Sequence, residues 1–278
     1  METFFSFLEK RVDDCSSLLC VGLDPHVSDL KEPTPASALD FCLNLVKQTA
    51  PYAAAFKPNA AFFEVFGAEG WTALKQVIEA IDAESKRLGS MIPVVLDAKR
   101  GDIASTAEAY AKSAFETLGA HCITLNPYLG HDSIEPFLSY PEKGVFVLCK
   151  TSNAGSMDLQ NLLVLPPAAD NPAPMYIYVA HLAAQWNVNN NVGIVVGATH
   201  PQIMSNIRAA APDLWFLSPG VGAQGAELEL ALKSGLRKDG KGLLIPISRS
   251  ISRAEKPGLA AAEIRDEILH IKREMKKT

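Results

Sequence analysis

The sequence predicts an α/β protein, a (β/α)8 TIM barrel, and three observations carry that reading. Eight short apolar runs recur along the 278 residues, segments of helical spacing lie between them, and no break in composition divides the chain. The runs are Leu18–Leu23, Ala53–Lys57, Ile92–Leu96, Cys122–Leu125, Val145–Cys149, Val192–Val196, Leu214–Leu217 and Leu243–Ile247. They are continuous rather than alternating, as parallel strands covered on both faces require. Helical spacing runs over Ala36–Thr49, Trp71–Leu88, Ile103–Leu118, Pro201–Ala210, Glu227–Ser234 and Leu259–Arg273. One barrel commonly fills about 250 residues, so residues 1–278 read as a single catalytic domain. Periodicity does not establish closure, and a doubly wound open sheet is the alternative. One stretch breaks the rhythm: Ser152–Pro174 carries Pro166, Pro167, Pro172 and Pro174. A loop of that length is a functional lid, a disordered segment or a tolerated surface insertion.

Composition narrows the function. Hydrophobic residues make up 48% and charged residues 21%, enough to build a large core and to exclude disorder as the main state. The net charge is −5, which argues against nucleic acid as a partner. No apolar run approaches the roughly 18 residues that span a bilayer, so no membrane partner is expected. The start, Met1-Glu2-Thr3-Phe4-Phe5, has no basic, apolar leader pattern. Five cysteines, Cys15, Cys20, Cys42, Cys122 and Cys149, form no Cys-x-x-Cys pair. The expectation is a reduced, soluble, cytoplasmic protein with no structural metal.

In a barrel the chemistry sits where strands end. The first run ends in Asp24, the second in Lys57-Pro58-Asn59, and the third in Asp97-Ala98-Lys99-Arg100-Gly101-Asp102. The fourth ends in Asn126, the fifth in Lys150-Thr151-Ser152-Asn153, the sixth in Gly197-Ala198-Thr199 and the eighth in Ser248-Arg249. Asp97 and Lys99 are two apart, so regular alternation puts them on one side with Val95. Two carboxylates, Asp97 and Asp102, beside the Lys99 ammonium keep it charged and suit proton delivery. The competing reading is a surface ion-pair cluster, with Asp102 capping a helix from Ile103 onward.

After the seventh run, Gly220-x-Gly222-x-x-Gly225 matches the dinucleotide fingerprint. The acidic residue expected about 20 positions on is missing, since the eighth run ends in Ser248-Arg249. A site for a single phosphate fits better, with Arg249 supplying a charge-assisted contact. His26, His121 and His200 have no partners in sequence that make them ligands or bases, and no metal-ligand spacing is present.

Taken together, these residues resemble the orotidine 5′-phosphate decarboxylase family, whose members convert orotidine 5′-monophosphate (OMP) to UMP. Asp97-x-Lys99-x-x-Asp102 is similar to its catalytic signature, and Lys57 to the second-strand lysine of its charged tetrad. The resemblance implies that Asp24 binds the ribose, Thr106 reaches a neighbouring subunit's ligand and Ser152 reads the pyrimidine edge. Gly220, Gly222 and Arg249 match its phosphate-gripping elements, and Gln224 its bridging glutamine. Phe56-Lys57-Pro58-Asn59 and Lys150-Thr151-Ser152-Asn153 look like the longer branch of the family, with Asn59 a further substrate contact. Ser248 stands where many members have glycine. The implied enzyme uses no cofactor. It works as a homodimer whose Asp102 and Thr106 are given in trans, and in some relatives it is fused to orotate phosphoribosyltransferase. The alternatives are a Mg²⁺-dependent sugar-phosphate enzyme with the same signature, and a catalytically silent binding barrel.

Overall fold

The computed structural model describes residues 2–166, 170–221 and 225–275. Eight parallel strands, each overlapping one predicted run, line its centre. They are β1 (Leu19–Leu23), β2 (Ala55–Pro58), β3 (Val95–Arg100), β4 (Cys122–Leu125), β5 (Gly144–Lys150), β8 (Val192–Val196), β9 (Phe216–Leu217) and β10 (Leu243–Ile247). Two short strands, β6 (Leu163–Val164) and β7 (Ala173–Pro174), pair separately and antiparallel. The large sheet runs β2-β1-β10-β9-β8-β5-β4-β3. Its two edges meet through the bridges Phe56↔Val94 and Asn59↔Asp97, which close the sheet into a barrel. Closure removes the doubly wound alternative. Strand β3 extends beyond its apolar run, through Asp97 and Lys99 to Arg100, and so carries those side chains to the rim.

The predicted helices form with recognisable ends. Pro35–Thr49 starts on a proline, with the Thr34 hydroxyl accepting the Ser37 N–H. Gly67–Leu88 stops at Gly89, whose φ of +65° ends the helix in the left-handed region. Helix Ala104–Lys112 continues into a π turn, Ser113–Thr117.

Two long helices were not predicted. Met175–Trp186 is apolar nearly all round, so helical periodicity is weak. Phe4–Cys15 covers the base of the barrel. There Phe5 stacks on Trp215 at 6.1 Å and meets Phe146 edge-on at 5.6 Å. Gly144 is required beneath it, because a Cβ there would lie 2.3 Å from the Phe4 ring.

The Ser152–Pro174 stretch is not a structureless lid over the residues described. A 3-10 turn, Ala154–Asp158, leads into the β6–β7 ribbon and then into helix Met175–Trp186. Pro167 lies outside the described residues. Among the described residues no helix is long and apolar enough to cross a membrane. All five cysteines are free and buried.

Candidate active site

Three strand ends bring the charge together. Asp97 on β3 accepts Lys57 Nζ at 2.9 Å on Oδ2 and Lys99 Nζ at 2.6 Å on Oδ1. Lys57, from β2, also stands 4.0 Å from Asp24 Oδ1 at the end of β1. The order is thus carboxylate, ammonium, carboxylate, ammonium. Burial works against the Asp97 charge, but Lys57 and Lys99 outweigh it and hold the acid at about 2. Burial likewise disfavours the Lys57 ammonium, and Asp97 with Asp24 more than offsets this, raising its pKa above the ordinary lysine value. Both groups of this pair are therefore ionised at neutral pH.

The backbone that presents Lys99 is irregular. Strand pairing to β4 skips from Leu96↔Ile123 to Arg100↔Leu125, and Lys99 has φ +46°. A lysine in that region costs on the order of 1–2 kcal/mol. The expected alternation through Val95, Asp97 and Lys99 therefore gives way to a bulge. Lys99 still reaches Asp97, and its side chain is half exposed into the site. Sequence reasoning missed the group at this bulge, Thr124. Its hydroxyl donates to Asp97 Oδ1 at 3.0 Å and accepts the N–H groups of Ala98 and Lys99.

Asp24 binds differently on its two oxygens. Oδ2 accepts the Ser248 hydroxyl at 2.5 Å, whereas Oδ1 is buried without a hydrogen-bond partner. A buried orphan carboxylate oxygen is a ready acceptor for a ligand hydroxyl. Ser248, a substrate-binding candidate beside Arg249, is thus held by Asp24. Gly22 makes room for it, because a Cβ there would lie 1.9 Å from Ser248 Oγ.

Above the charges lies a cavity of about 460 Å³, bordered by Lys57, Asp97, Lys99, Thr124, Ser152 and Gln160 among others. Ser152 lies close against Gly197 and Gly220, where added Cβ atoms would fall 3.0 and 3.6 Å from its own Cβ. Gly220 has φ +90°, a conformation suited to glycine. Gln160 was also missed. Its amide clasps Thr151, accepting that residue's N–H and donating to its hydroxyl, each at 2.9 Å. Lys150, also at the end of β5, is buried and donates to Ser156 Oγ at 2.6 Å. No sequence motif marks such contacts, which cross from the strand end to the following turn.

The remaining expected residues lie elsewhere. Asp102 makes no salt bridge with Lys99; its Oδ1 accepts the Ile103 N–H at 2.8 Å. It does not cap the next helix, which begins at Ala104 with Ile103 at the cap position. Thr106 is exposed on that helix. Asn59 Oδ1 accepts the Ala61 N–H at 3.2 Å. Arg249 is exposed at the start of the turn Arg249–Ser252. Gly222 and Gln224 lie outside the described residues. Among the described residues no three His, Cys, Asp or Glu side chains gather to hold a metal ion.

Known proteins share this arrangement of sequence and fold. The family model described as "Orotidine 5'-phosphate decarboxylase / HUMPS family" matches residues 17–264. The orotidine 5'-phosphate decarboxylase of Roseiflexus castenholzii is 45% identical over 266 residues, covering 94% of this chain and 93% of that one. The structure of Leishmania donovani OMP decarboxylase superposes with a TM-score of 0.86 at 54% identity, over 97% of this chain and 98% of the other. Leishmania donovani UMP synthase gives a TM-score of 0.87 at 55% identity over 98% of this chain, which spans only 57% of that longer one. The signature on β3, the second-strand lysine beside it and a match running from before β1 to the last helix agree: this chain belongs to the orotidine 5'-phosphate decarboxylase family.

Proposed function

We propose that this chain decarboxylates OMP to UMP by electrostatic stabilisation of a carbanion, and the observation that carries the reading is the Lys57–Asp97–Lys99 line, with Lys57 and Asp97 buried and Lys99 half exposed into the site. Loss of CO2 breaks the C6–carboxylate bond and leaves its electron pair in the plane of the pyrimidine, outside the π system. Such a charge has no internal sink and needs a fixed counter-charge. Lys99 Nζ supplies it and then gives C6 a proton, and solvent restores the ammonium. Asp97, ionised between two lysines, holds Lys99 in place. Asp24 Oδ1, which has no hydrogen-bond partner, takes a ribose hydroxyl, and Lys57 bridges Asp24 and Asp97. Ser152 reads the base edge. Asn59 is a further substrate contact. Gly220, Gly222, Gln224 and Arg249 hold the phosphate, whose binding energy is used at the distant reacting carbon.

A homodimer completes this site. Ile103, Tyr128 and Leu129 are 51%, 76% and 51% exposed, and Ile103 stands next to Asp102 and near Thr106. Exposed apolar side chains, one of them adjacent to Asp102 and near Thr106, fit donation of those two residues to a second subunit. Five free, buried thiols suit a reducing cytoplasm. A fused orotate phosphoribosyltransferase is compatible with the longer Leishmania UMP synthase chain.

The test is conversion of OMP to UMP and CO2 with EDTA present, run beside Lys99→Ala. Turnover by the parent chain and none by the variant supports the reading. Loss on chelation redirects it to the Mg²⁺-dependent sugar-phosphate relatives. Mixed Asp102→Asn and Lys99→Ala subunits regain activity if sites are shared, and heterodimers without activity count against sharing.

A further inference from the structure

We propose that Thr124 is a positioning residue for this reaction: its single hydroxyl sets both the Asp97 carboxylate and the backbone that carries Lys99. The inference rests on the roles given above to Asp97 and Lys99. A threonine hydroxyl has one proton to give and two lone pairs to receive. Here all three are used, by Asp97 Oδ1 at 3.0 Å, the Ala98 N–H at 3.0 Å and the Lys99 N–H at 2.9 Å.

The strand register explains why one atom can do this. Between the pairs Leu96↔Ile123 and Arg100↔Leu125, three residues of β3 face only Thr124 on β4. The surplus is accommodated at Lys99, where φ is +46°. Two successive N–H groups then converge on one point, an arrangement that attracts an electronegative atom. The oxygen at that point belongs to Thr124, which is 1% exposed, so water does not readily substitute for it. Without the hydroxyl, two N–H groups and one carboxylate oxygen lose a partner together. The bulge then has no reason to hold Lys99 in its left-handed conformation. The Lys99 ammonium lies 2.6 Å from the oxygen that Thr124 also touches, so the same bond network fixes the proton donor.

The decisive measurement is steady-state decarboxylation of OMP by Thr124→Val, Thr124→Ser, Thr124→Ala and Lys99→Ala, with UMP affinity and melting temperature for each. Valine keeps the shape and removes all three bonds, whereas serine keeps the oxygen. The expected result is a kcat about 100-fold lower for Thr124→Val, the scale of a 1 Å misplacement. Its KM and UMP affinity stay within about threefold, because the lost interaction acts in the transition state. Thr124→Ser restores kcat to within about tenfold of the parent. Where valine prevents folding, Thr124→Ala takes its place in the comparison with serine. A kcat for the valine or alanine variant equal to that of serine, with Lys99→Ala inactive, overturns the role of Thr124 alone. So does a loss seen wholly in KM. Near-normal turnover by Lys99→Ala overturns the underlying reading of the site, and this inference with it.

Discussion

Lys57 donates to Asp97 across 2.9 Å, and their side chains are only 9% and 12% exposed. A pair this enclosed is costly to break on one side, since the survivor keeps its desolvation cost and loses its counter-charge. Replacing Lys57 by Met should therefore cost about 3 kcal/mol of stability in urea denaturation, and abolish turnover. Adding Asp97→Asn to that variant should recover part of the stability and none of the activity. A Lys57→Met protein as stable as the parent would show that Lys99 and Thr124 alone satisfy Asp97.

The same pair fixes a pH window. Asp97 is held at about 2, below its ordinary value of 3.8, so its contribution is complete above that ordinary value and is lost only on acidification toward 2. Lys57 is raised above 10.5, so its contribution is complete below that value and is lost in stronger alkali. Between about pH 5 and 9 neither group titrates. Lys57→Arg and Asp97→Glu variants, where active, should share the parent's pH limbs within that window in kcat. A limb that moves with either substitution would assign the titration to this pair.

His121 sets a separate limit at the base of the barrel. Its Nδ1 accepts the Val94 N–H at 3.1 Å, which requires an unprotonated nitrogen. Burial, helped by the Lys143 ammonium, lowers its pKa to about 4. The unfolded chain takes up this proton first, so stability falls as the pH drops below about 6.5 and levels off near 4. The contribution is roughly 3 kcal/mol at full extent. A His121→Asn variant should have a flatter unfolding free energy between pH 7 and 4. An unchanged slope would place the acid sensitivity elsewhere.

The barrel and its charged rim were legible because their signals are local. Eight aliphatic runs announce strands buried on both faces, and the polar residue at each end marks the rim whatever the details of closure. Lys57 and Asp97 could be named from those positions, although 40 residues of chain separate them. What was not legible depends on contacts between elements. Thr124 reads as one more β-branched residue in a strand, and only the bulge opposite gives its hydroxyl three partners. Gln160 lies in a proline-rich stretch whose composition suggests a loop, while its function follows from folding back onto Thr151. The helix Met175–Trp186 has too little polar face to show a period. Asp102 differs again: its spacing from Lys99 suggests a cluster within one chain, whereas within this chain its Oδ1 accepts the Ile103 N–H.

Gly22 and Ser248 make the sharpest local test, because each constrains the other. The Ser248 hydroxyl holds Asp24 Oδ2 at 2.5 Å, leaving the buried Oδ1 without a hydrogen bond and 4.0 Å from Lys57 Nζ. A methyl on Gly22 would lie 1.9 Å from Ser248 Oγ and 3.2 Å from Asp24 Oδ2, so both must shift. Overpacking of this kind costs about 1–3 kcal/mol. Gly22→Ala should therefore lower stability by that amount and raise the KM for OMP through displacement of Asp24. Ser248→Gly removes the obstructing atoms and the hydrogen bond together, at a smaller cost of about 1 kcal/mol. In the double variant the alanine methyl has room, so it should be more stable than Gly22→Ala alone. Such a gain from a second substitution is a coupling energy that a double-mutant cycle reads directly. Simple additivity of the two losses would mean that β1 and β10 move apart to accept the methyl, and that the Ser248–Asp24 contact is not what orients the second carboxylate oxygen.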